Sequence, residues 1–508
     1  MARVVVVGGG FAGLATAARL ARGRHQVTVL DRARELGGSL RPYVVDGIAV
    51  PPPPTTFTMP AVLRDLFVKT GRPIERELEL VPVDPARRYV FADGTELDLP
   101  SGNRADTIVA FDAALGRGAG AEWEALLVRG RKMWEILRPG VIEQPIDGRV
   151  DLLRRLSSAR PARVLQPWRT LRSLGRSALS DPRARQVLDS YSLAAGAQPR
   201  RAPAALATLP YLEHAFGVWQ VDGGSARLIA ALVERATLRG AELRTGCEVV
   251  EIVITDDGVA GVRLADGEHV RADVVVSAID SRSANGLVHT GARPWRSVPV
   301  GREGQSRLTV VLTSTEPVPK LPMETVFLGE GDAGVGLGAL TPTSARTPSP
   351  GPTIRVEHRQ VDGTLVWTVS ADAAPHGLGG VGQRSVDWRS EDLGRDQARA
   401  LLDGLARRGL DLRSATIGLI DTPALLEDRT GAPGGAVHGP APHGVLGAFA
   451  RATNRSRIPG LYAVGASAHP GPGLPFTGLS AVLVSDLLGV VPRAEATARS
   501  AAGHDEAD

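Results

Sequence analysis

The sequence holds a single cysteine, Cys247, which excludes an internal disulfide and a cysteine-built metal site and leaves a reducing cytoplasm as the natural setting. No metal is expected. Lysine is nearly missing: only Lys69, Lys132 and Lys320 stand among the 59 basic residues. The net charge of +4 therefore rests on arginine, which rises together with alanine, glycine and proline under GC-rich coding, so it is not read as a nucleic-acid footprint. Aromatic residues make up 4% of the chain, few for a long aromatic-lined tunnel. No run of about eighteen apolar residues exists to span a membrane. The first apolar run, 4–7, is needed as a strand and does not read as a leader.

At 508 residues and 43% hydrophobic content the chain is expected to bury a large core and to divide into two or three domains. Its organising stretch is 1–31. A β-prone run over 4–7 leads into Gly8, Gly10 and Gly13 in G-x-G-x-x-G spacing, a helix-forming stretch follows over 14–22, and a second β-branched run over 26–30 ends on Asp31. This is the strand, turn, helix, strand and acid of a dinucleotide-binding unit. Gly8 allows the sharp turn, Gly10 lets the backbone approach a pyrophosphate, and Gly13 lets helix and strand pack closely. The helix start then offers unpaired N–H groups and a positive dipole end to an anion.

Further along, Gly37-Gly38 continues the same unit, and Asp46-Gly47, Asp93-Gly94, Asp257-Gly258 and Asp266-Gly267 mark hairpins. Helical spacing covers 61–69, 107–137 and 396–409, and the run 307–366 is β-prone with proline-rich breaks such as 347–353. A helix opens at Gly223-Gly224, with Asp222 placed to cap it. The segment 149–201 carries twelve arginines interleaved with Leu, Val and Trp168, opposed only by Asp151, Asp181 and Asp189. It reads either as a solvated helical face or as a basic helix lying on the inner face of a membrane.

The second informative stretch is 460–482: a short strand, a Gly-rich turn over 465–473, and a helix over 477–488. With VVVVGGGFAGL, ELGGSLRP, GVWQVDGG and ADVVVSAID, its GLYAVGASAHPGPGLP motif resembles the bacterial-type phytoene desaturases, FAD-dependent carotenoid desaturases, over most of the chain. The resemblance implies FAD as cofactor. It implies that Gly8, Gly10, Phe11, Ala12, Gly13, Asp31, Arg32, Gly37, Gly38, Ser39 and Val249 lie around the ADP part, and that Gly465, Ala466, His469, Gly471, Gly473 and Leu474 border the flavin. His469 is the candidate catalytic residue, although a histidine in a Gly-Pro turn serves packing more often than proton transfer. Two departures stand out. Pro51 to Pro54 replace a family Asp and Gly ahead of Pro-Thr, removing four backbone donors from the flavin wall, and Ser39 occupies a position that is usually basic.

The fold class expected is α/β: a discontinuous Rossmann-like FAD-binding domain over 1–56, 217–283 and 431–491, with an α+β substrate or cap domain over 57–148 and 284–430. A basic helical segment, 149–216, and a disordered tail, 492–508, complete the division. The function expected is desaturation of an apolar isoprenoid, with electrons passing to oxygen or a quinone. An amine oxidase, a redox-neutral isomerase and a catalytically drifted flavin-binding paralogue are the competing readings.

Overall fold

The computed structural model describes residues 1–291, 293–295, 304–315, 320–329, 352–361, 363–378, 385–444, 447 and 451–489. The expected tail over 492–508 and the core of the proline-rich break at 347–351 lie outside them. Five parallel strands form the first sheet: Leu461–Ala463, Val274–Ser277, β1 (Arg3–Val7), β2 (Gln26–Asp31) and Glu242–Thr245, in that spatial order. β1 is central, paired Val4 to Val7 with Val274 to Ser277 on one side and with Val27 to Leu30 on the other. Both faces of a parallel sheet are covered, so β1 reads as an unbroken valine run. Val4 and Val6 pack under helix α1 (Phe11–Arg22) through Ala17, Ala18 and Leu20. Val5 and Val7 meet Ile252, Val262 and Leu264 of a three-stranded antiparallel layer. Alanine on α1 lets the helix sit close to the sheet and to the helices Gly224–Leu238 and Leu474–Leu487. Gly223, not Asp222, occupies the N-cap of Gly224–Leu238 and no side chain caps that helix, whereas Asp222 pairs in solvent with Arg227 at 3.1 Å. The expected cap is thus corrected: solvation of an exposed ion pair wins over the cap bond.

Among the described residues the second sheet has seven strands, ordered Thr416–Asp421, β3 (Ser306–Ser314), β6 (Thr364–Ala373), β5 (Ile354–Val361), β4 (Glu324–Phe327), Arg87–Val90 and Glu96–Leu99. One face is apolar. Leu308, Val310, Ile354, Val356, Val369 and Ala371 pack with Ala398, Leu401, Leu402 and Leu405 of the helix Glu391–Ala406. By the two-residue alternation of strands, the other face carries Arg307, Thr309, Thr368, Ser370, Arg355 and Glu357. Antiparallel pairing of Arg307 with Asp372, Arg355 with Ser370 and Glu357 with Thr368 aligns them. That face is buried as well.

A helical cap lies over the edge of this sheet. The spacing over 107–137 resolves into two helices, Arg104–Leu115 and Ala119–Leu137, because Gly116 and Gly118 take positive φ values of 104° and 100° and end the first. Phe111 stacks on Trp123 at 4.5 Å in the cap core. The arginine-rich segment forms helices Arg149–Leu156, Ala159–Leu165, Leu171–Ala178 and Pro182–Ala194. Much of its charge turns inward. Arg172 pairs with Asp189 at 2.7 Å with both side chains 8% exposed, and Arg155 holds Asp151 and the carbonyls of Gly140 and Pro145. Arg169, Arg183 and Arg185 likewise bind Ser173 O, Asp181 and Ser180 O. Among the described residues no helix is long and apolar enough to cross a membrane.

Removing one member of the buried pair takes from the other its partner at 2.7 Å inside the fold. Asp189→Ala is expected to cost about 3–5 kcal/mol, read as a fall in the calorimetric midpoint of the wild-type and variant proteins, whereas Asp222→Ala at the exposed pair should change it by less than about 1 kcal/mol.

Candidate functional site

At the end of β1 the chain turns at Gly8, with φ +104° and its N–H donating to Leu30 O at 2.8 Å. A Cβ on Gly13 would lie 2.0 Å from Gly8 O, so glycine there is what lets α1 approach the strand. A Cβ on Gly10 would meet no protein atom closer than 3.7 Å. Gly10 is extended (φ −76°, ψ −177°), so glycine there leaves room rather than relieving strain. No side chain caps α1, so its first N–H groups, from Phe11 and Ala12 onward, lack intrahelical acceptors and face this open space. Gly37 N–H donates to Gly9 O at 2.9 Å, and a Cβ on Gly38 would lie 3.1 Å from Gly10 Cα, so the glycine pair lines the same opening. Asp31 ends β2 and accepts from Gly9 N–H at 2.6 Å and Ala33 N–H at 2.8 Å. Cys247 N–H donates to Asp31 O at 2.8 Å, which brings the strand beginning at Val249 beside the acid. Arg32 reaches away to Asp428 O at 2.5 Å, and Ser39 O accepts from Arg429 at 3.4 Å.

The C-terminal turn comes to the same place. Gly465 stands where a Cβ would be 3.6 Å from Ala12 Cβ, and its N–H donates to Ser480 Oγ at 3.3 Å. The helix Leu474–Leu487 starts three residues earlier than its spacing suggests, at Leu474, with Gly473 as N-cap (φ +96°) and no side-chain cap. Two uncapped helix starts thus converge with a space that only a glycine leaves open, and this suits a pyrophosphate and the polar edge of a ring system. The turn is held from behind by residues the sequence did not single out. Asn454, fully buried, donates from Nδ2 to Ala463 O, His469 O and Ser480 Oγ. Arg451 donates to Ala466 O at 2.6 Å and His438 O at 2.9 Å and lies against Gly471. Neither has a local sequence signature.

His469 is buried in this turn, and its Nε2 lies 2.8 Å from Val141 O and 3.2 Å from Gln144 O. Two carbonyls can only accept, so Nε2 carries the proton and donates. Burial lowers the imidazole to about 4, the two carbonyls opposing that shift. The side chain therefore ties the turn to the cap end of Arg138–Ile142.

The proline loop 51–55 is fastened from the polar face of the second sheet. Arg307 donates to Pro53 O, Thr55 Oγ1 donates to Glu357 Oε2 at 2.7 Å, and a Cβ on Gly224 would touch Pro51. Side chains from β3 and β5 so replace bonds that four prolines cannot supply. Burial, and then Glu324, push the Glu357 carboxyl up to about 7. Burial lowers the Arg307 guanidinium, and the positive Arg355 lowers it further. Arg307 Nε, Arg355 Nη2 and both amide atoms of Gln305 are buried without a partner among the described residues. His438, between Arg307, Arg355 and Arg451, is lowered well below the ordinary histidine value, first by burial.

A family model described as flavin containing amine oxidoreductase matches residues 11–335, well over half of the chain. The chain belongs to the flavin-containing amine oxidoreductase family. FAD is the cofactor of this flavin-containing oxidoreductase. A hydroxyneurosporene desaturase of Rubrivivax gelatinosus is 33% identical over 518 residues, covering 98% of this chain and 95% of that protein. A lycopene-forming phytoene desaturase of Pseudescherichia vulneris is 28% identical, covering 96% and 99%. A solved oxidoreductase from Methanosarcina mazei superposes with a TM-score of 0.64 at 16% identity, covering 95% of this chain and all of that one, and shares the α/β fold.

Two glycine substitutions separate space from packing. Gly10→Val is expected to keep the wild-type melting temperature in the apoprotein but lose FAD, whereas Gly13→Val should lose FAD and melt lower, as read from flavin absorbance and calorimetry. The histidine sets a pH dependence. With His469 lowered from 6.5 to about 4, the unfolded chain binds the proton more readily, so stability is full above 6.5 and falls as pH drops from 6.5 toward 4. Denaturant titration of His469→Gln should show a shallower decline across that window.

Proposed function

We propose that this flavin-containing oxidoreductase introduces double bonds into a long, apolar, acyclic isoprenoid of the carotenoid class. The observation that carries the reading is coverage. The desaturase relatives match this chain over nearly its whole length, the cap and the second sheet included, which supports a desaturase role for the whole arrangement.

On this reading Gly8, Gly10, Phe11, Ala12, Gly13, Asp31, Gly37 and Gly38 hold the ADP part of FAD, with Arg32, Ser39 and Val249 around it. Gly465, Ala466, Gly471, Gly473 and Leu474 border the ring. The cofactor-binding unit is assembled from 1–56, 217–283 and 431–491, and the second sheet and cap, 57–148 and 284–430, face the substrate. Bound FAD supplies two-electron oxidation at a saturated carbon. The chain supplies position and dryness: Asn454 and Arg451 fix the C-terminal turn, and Arg307 and Glu357 fix the 51–55 wall. Transfer of a polyene out of lipid is nearly neutral, because its CH₂ groups are worth about 0.8 kcal/mol each only against water. Pocket shape at the flavin therefore decides selectivity.

A substrate of this kind resides in membranes, and the segment 149–216 supplies the surface for contact. Val150, Leu153 and Trp168 are 73%, 51% and 68% exposed within a stretch that also carries Arg154, Arg160 and Arg163. The single complete dinucleotide fingerprint is used by FAD, so electrons leave to oxygen or a quinone and not through a nicotinamide.

Anaerobic mixing of the holoenzyme with acyclic carotenoids in liposomes should bleach the flavin and lengthen the product's conjugated absorption. Rapid bleaching by an amine, with none by any polyene, would reassign the chemistry to amine oxidation. Trp168→Glu is expected to reduce co-flotation with anionic liposomes several-fold while leaving flavin content unchanged.

A further inference from the structure

Of the side chains that fasten the 51–55 loop from the polar face of the second sheet, one is an acid. On β5, Glu357 is 7% exposed, is bonded to Thr55 of the 51–55 loop that the desaturase reading places at the flavin, and makes no ion pair among the described residues. Most of the charged groups around it are engaged elsewhere, and the positive Arg359 lowers its carboxyl by less than burial and Glu324 raise it. Glu324, opposite it on β4, lies 3.5 Å from Arg87 of the adjoining strand, Arg307 of β3 is bound to Pro53 O, and Asp372 of β6 lies 3.5 Å from Arg355. Arg359 follows on the same face of β5, beside Gly224. Thr55 bonds Glu357 through its hydroxyl, at Oε2, and through its backbone N–H; the two carboxylate oxygens together offer about four lone-pair sites, so acceptor capacity remains.

We propose that Glu357 is the proton acceptor in the desaturation, positioned by Thr55 at the flavin wall. This rests on the desaturase reading given above. Forming a C=C bond from CH–CH removes two hydrogens: one leaves its carbon as hydride, accepted by FAD. The electron pair of the neighbouring C–H bond becomes the π bond, and its proton passes to a carboxylate oxygen of Glu357, which later releases it to solvent. A walled site with few waters needs such an acceptor from the protein. The other basic groups near the turns serve poorly. His469 has spent Nε2 on Val141 O and is lowered to about 4, and His438 is lowered well below the ordinary histidine value, first by burial and then by Arg307, Arg355 and Arg451. Glu357, raised to about 7, holds both protonation states at neutral pH, as turnover requires.

Glu357→Gln separates the two roles of the residue, because the amide oxygen still accepts from Thr55 while the base is gone. Infrared difference spectra of the substrate-free holoenzyme between acid and alkaline pH should show a protonated-carboxyl band titrating near 7, absent from the variant. The variant should retain stoichiometric FAD, lose polyene desaturation by about a hundredfold or more, and lose the rise of rate with pH through about 7 seen in the wild type. Glu357→Asp should recover part of the rate. A glutamine variant that keeps more than half the wild-type rate with an unchanged pH profile, or a wild-type spectrum with no such band, overturns the proposal. A wild-type enzyme inert toward every polyene overturns the desaturase reading and this role with it.

Discussion

The site is set by how closely α1 approaches the end of β1, with the backbone of Gly13 passing over the carbonyl of Gly8 where no side chain fits. That approach fixes the position and direction of the helix start. The opening beside Gly10, the contact with Gly37 and Gly38, and the docking of Gly465 against Ala12 all refer to it. A helix moved outward by one methyl group would carry its N–H groups away from an anion and part the two turns together. Close packing makes such displacement costly, because interiors lack the voids to absorb it.

Against this rigid frame the second sheet is unusual in burying charge on one of its faces. Guanidinium groups at Arg307 and Arg355 and carboxyls at Glu324, Glu357 and Asp372 are withdrawn from water there, and apolar residues of similar volume are often at least as stabilising. Its retention fits a face that must do chemistry or hold a loop. Here it does hold one: the proline loop offers carbonyls and the Thr55 hydroxyl, and the sheet answers with a donor at Arg307 and an acceptor at Glu357.

What the sequence disclosed followed the range of the physics. Gly8, Gly13 and the Asp-Gly hairpins were legible because a turn or a close approach constrains the residue that makes it. The C-terminal turn was legible from its glycines, although its helix begins at Leu474 and not at Thr477, since Pro475 fits a first turn as well as it fits a loop. The buried polar face was not legible. Arg355, Glu357 and Arg359 alternate with Val356 and His358 as in any strand with a wet side, and only the covering loop makes that side dry. The partner of Arg172 lies at Asp189, outside any helical spacing, so counting charges overstated the free basic face. Asn454 and the tie between His469 and Val141 depend on segments far apart in the chain, and nothing local announces them.

The first sheet takes its strands from near residues 3–31, 242–277 and 461–463, and this order has a consequence for biosynthesis. When β1 and β2 leave the ribosome, the strand that flanks β1 on its other side is more than two hundred residues away, and the one beyond it more than four hundred. A four-valine edge therefore waits for more than two hundred residues without its partner, the kind of exposed strand that invites association with other chains. Contacts of such sequence separation also slow the search for the native pairing. The two glycine turns that frame the cofactor space lie more than four hundred residues apart, so that space is complete only once the strand Leu461–Ala463 has joined the sheet.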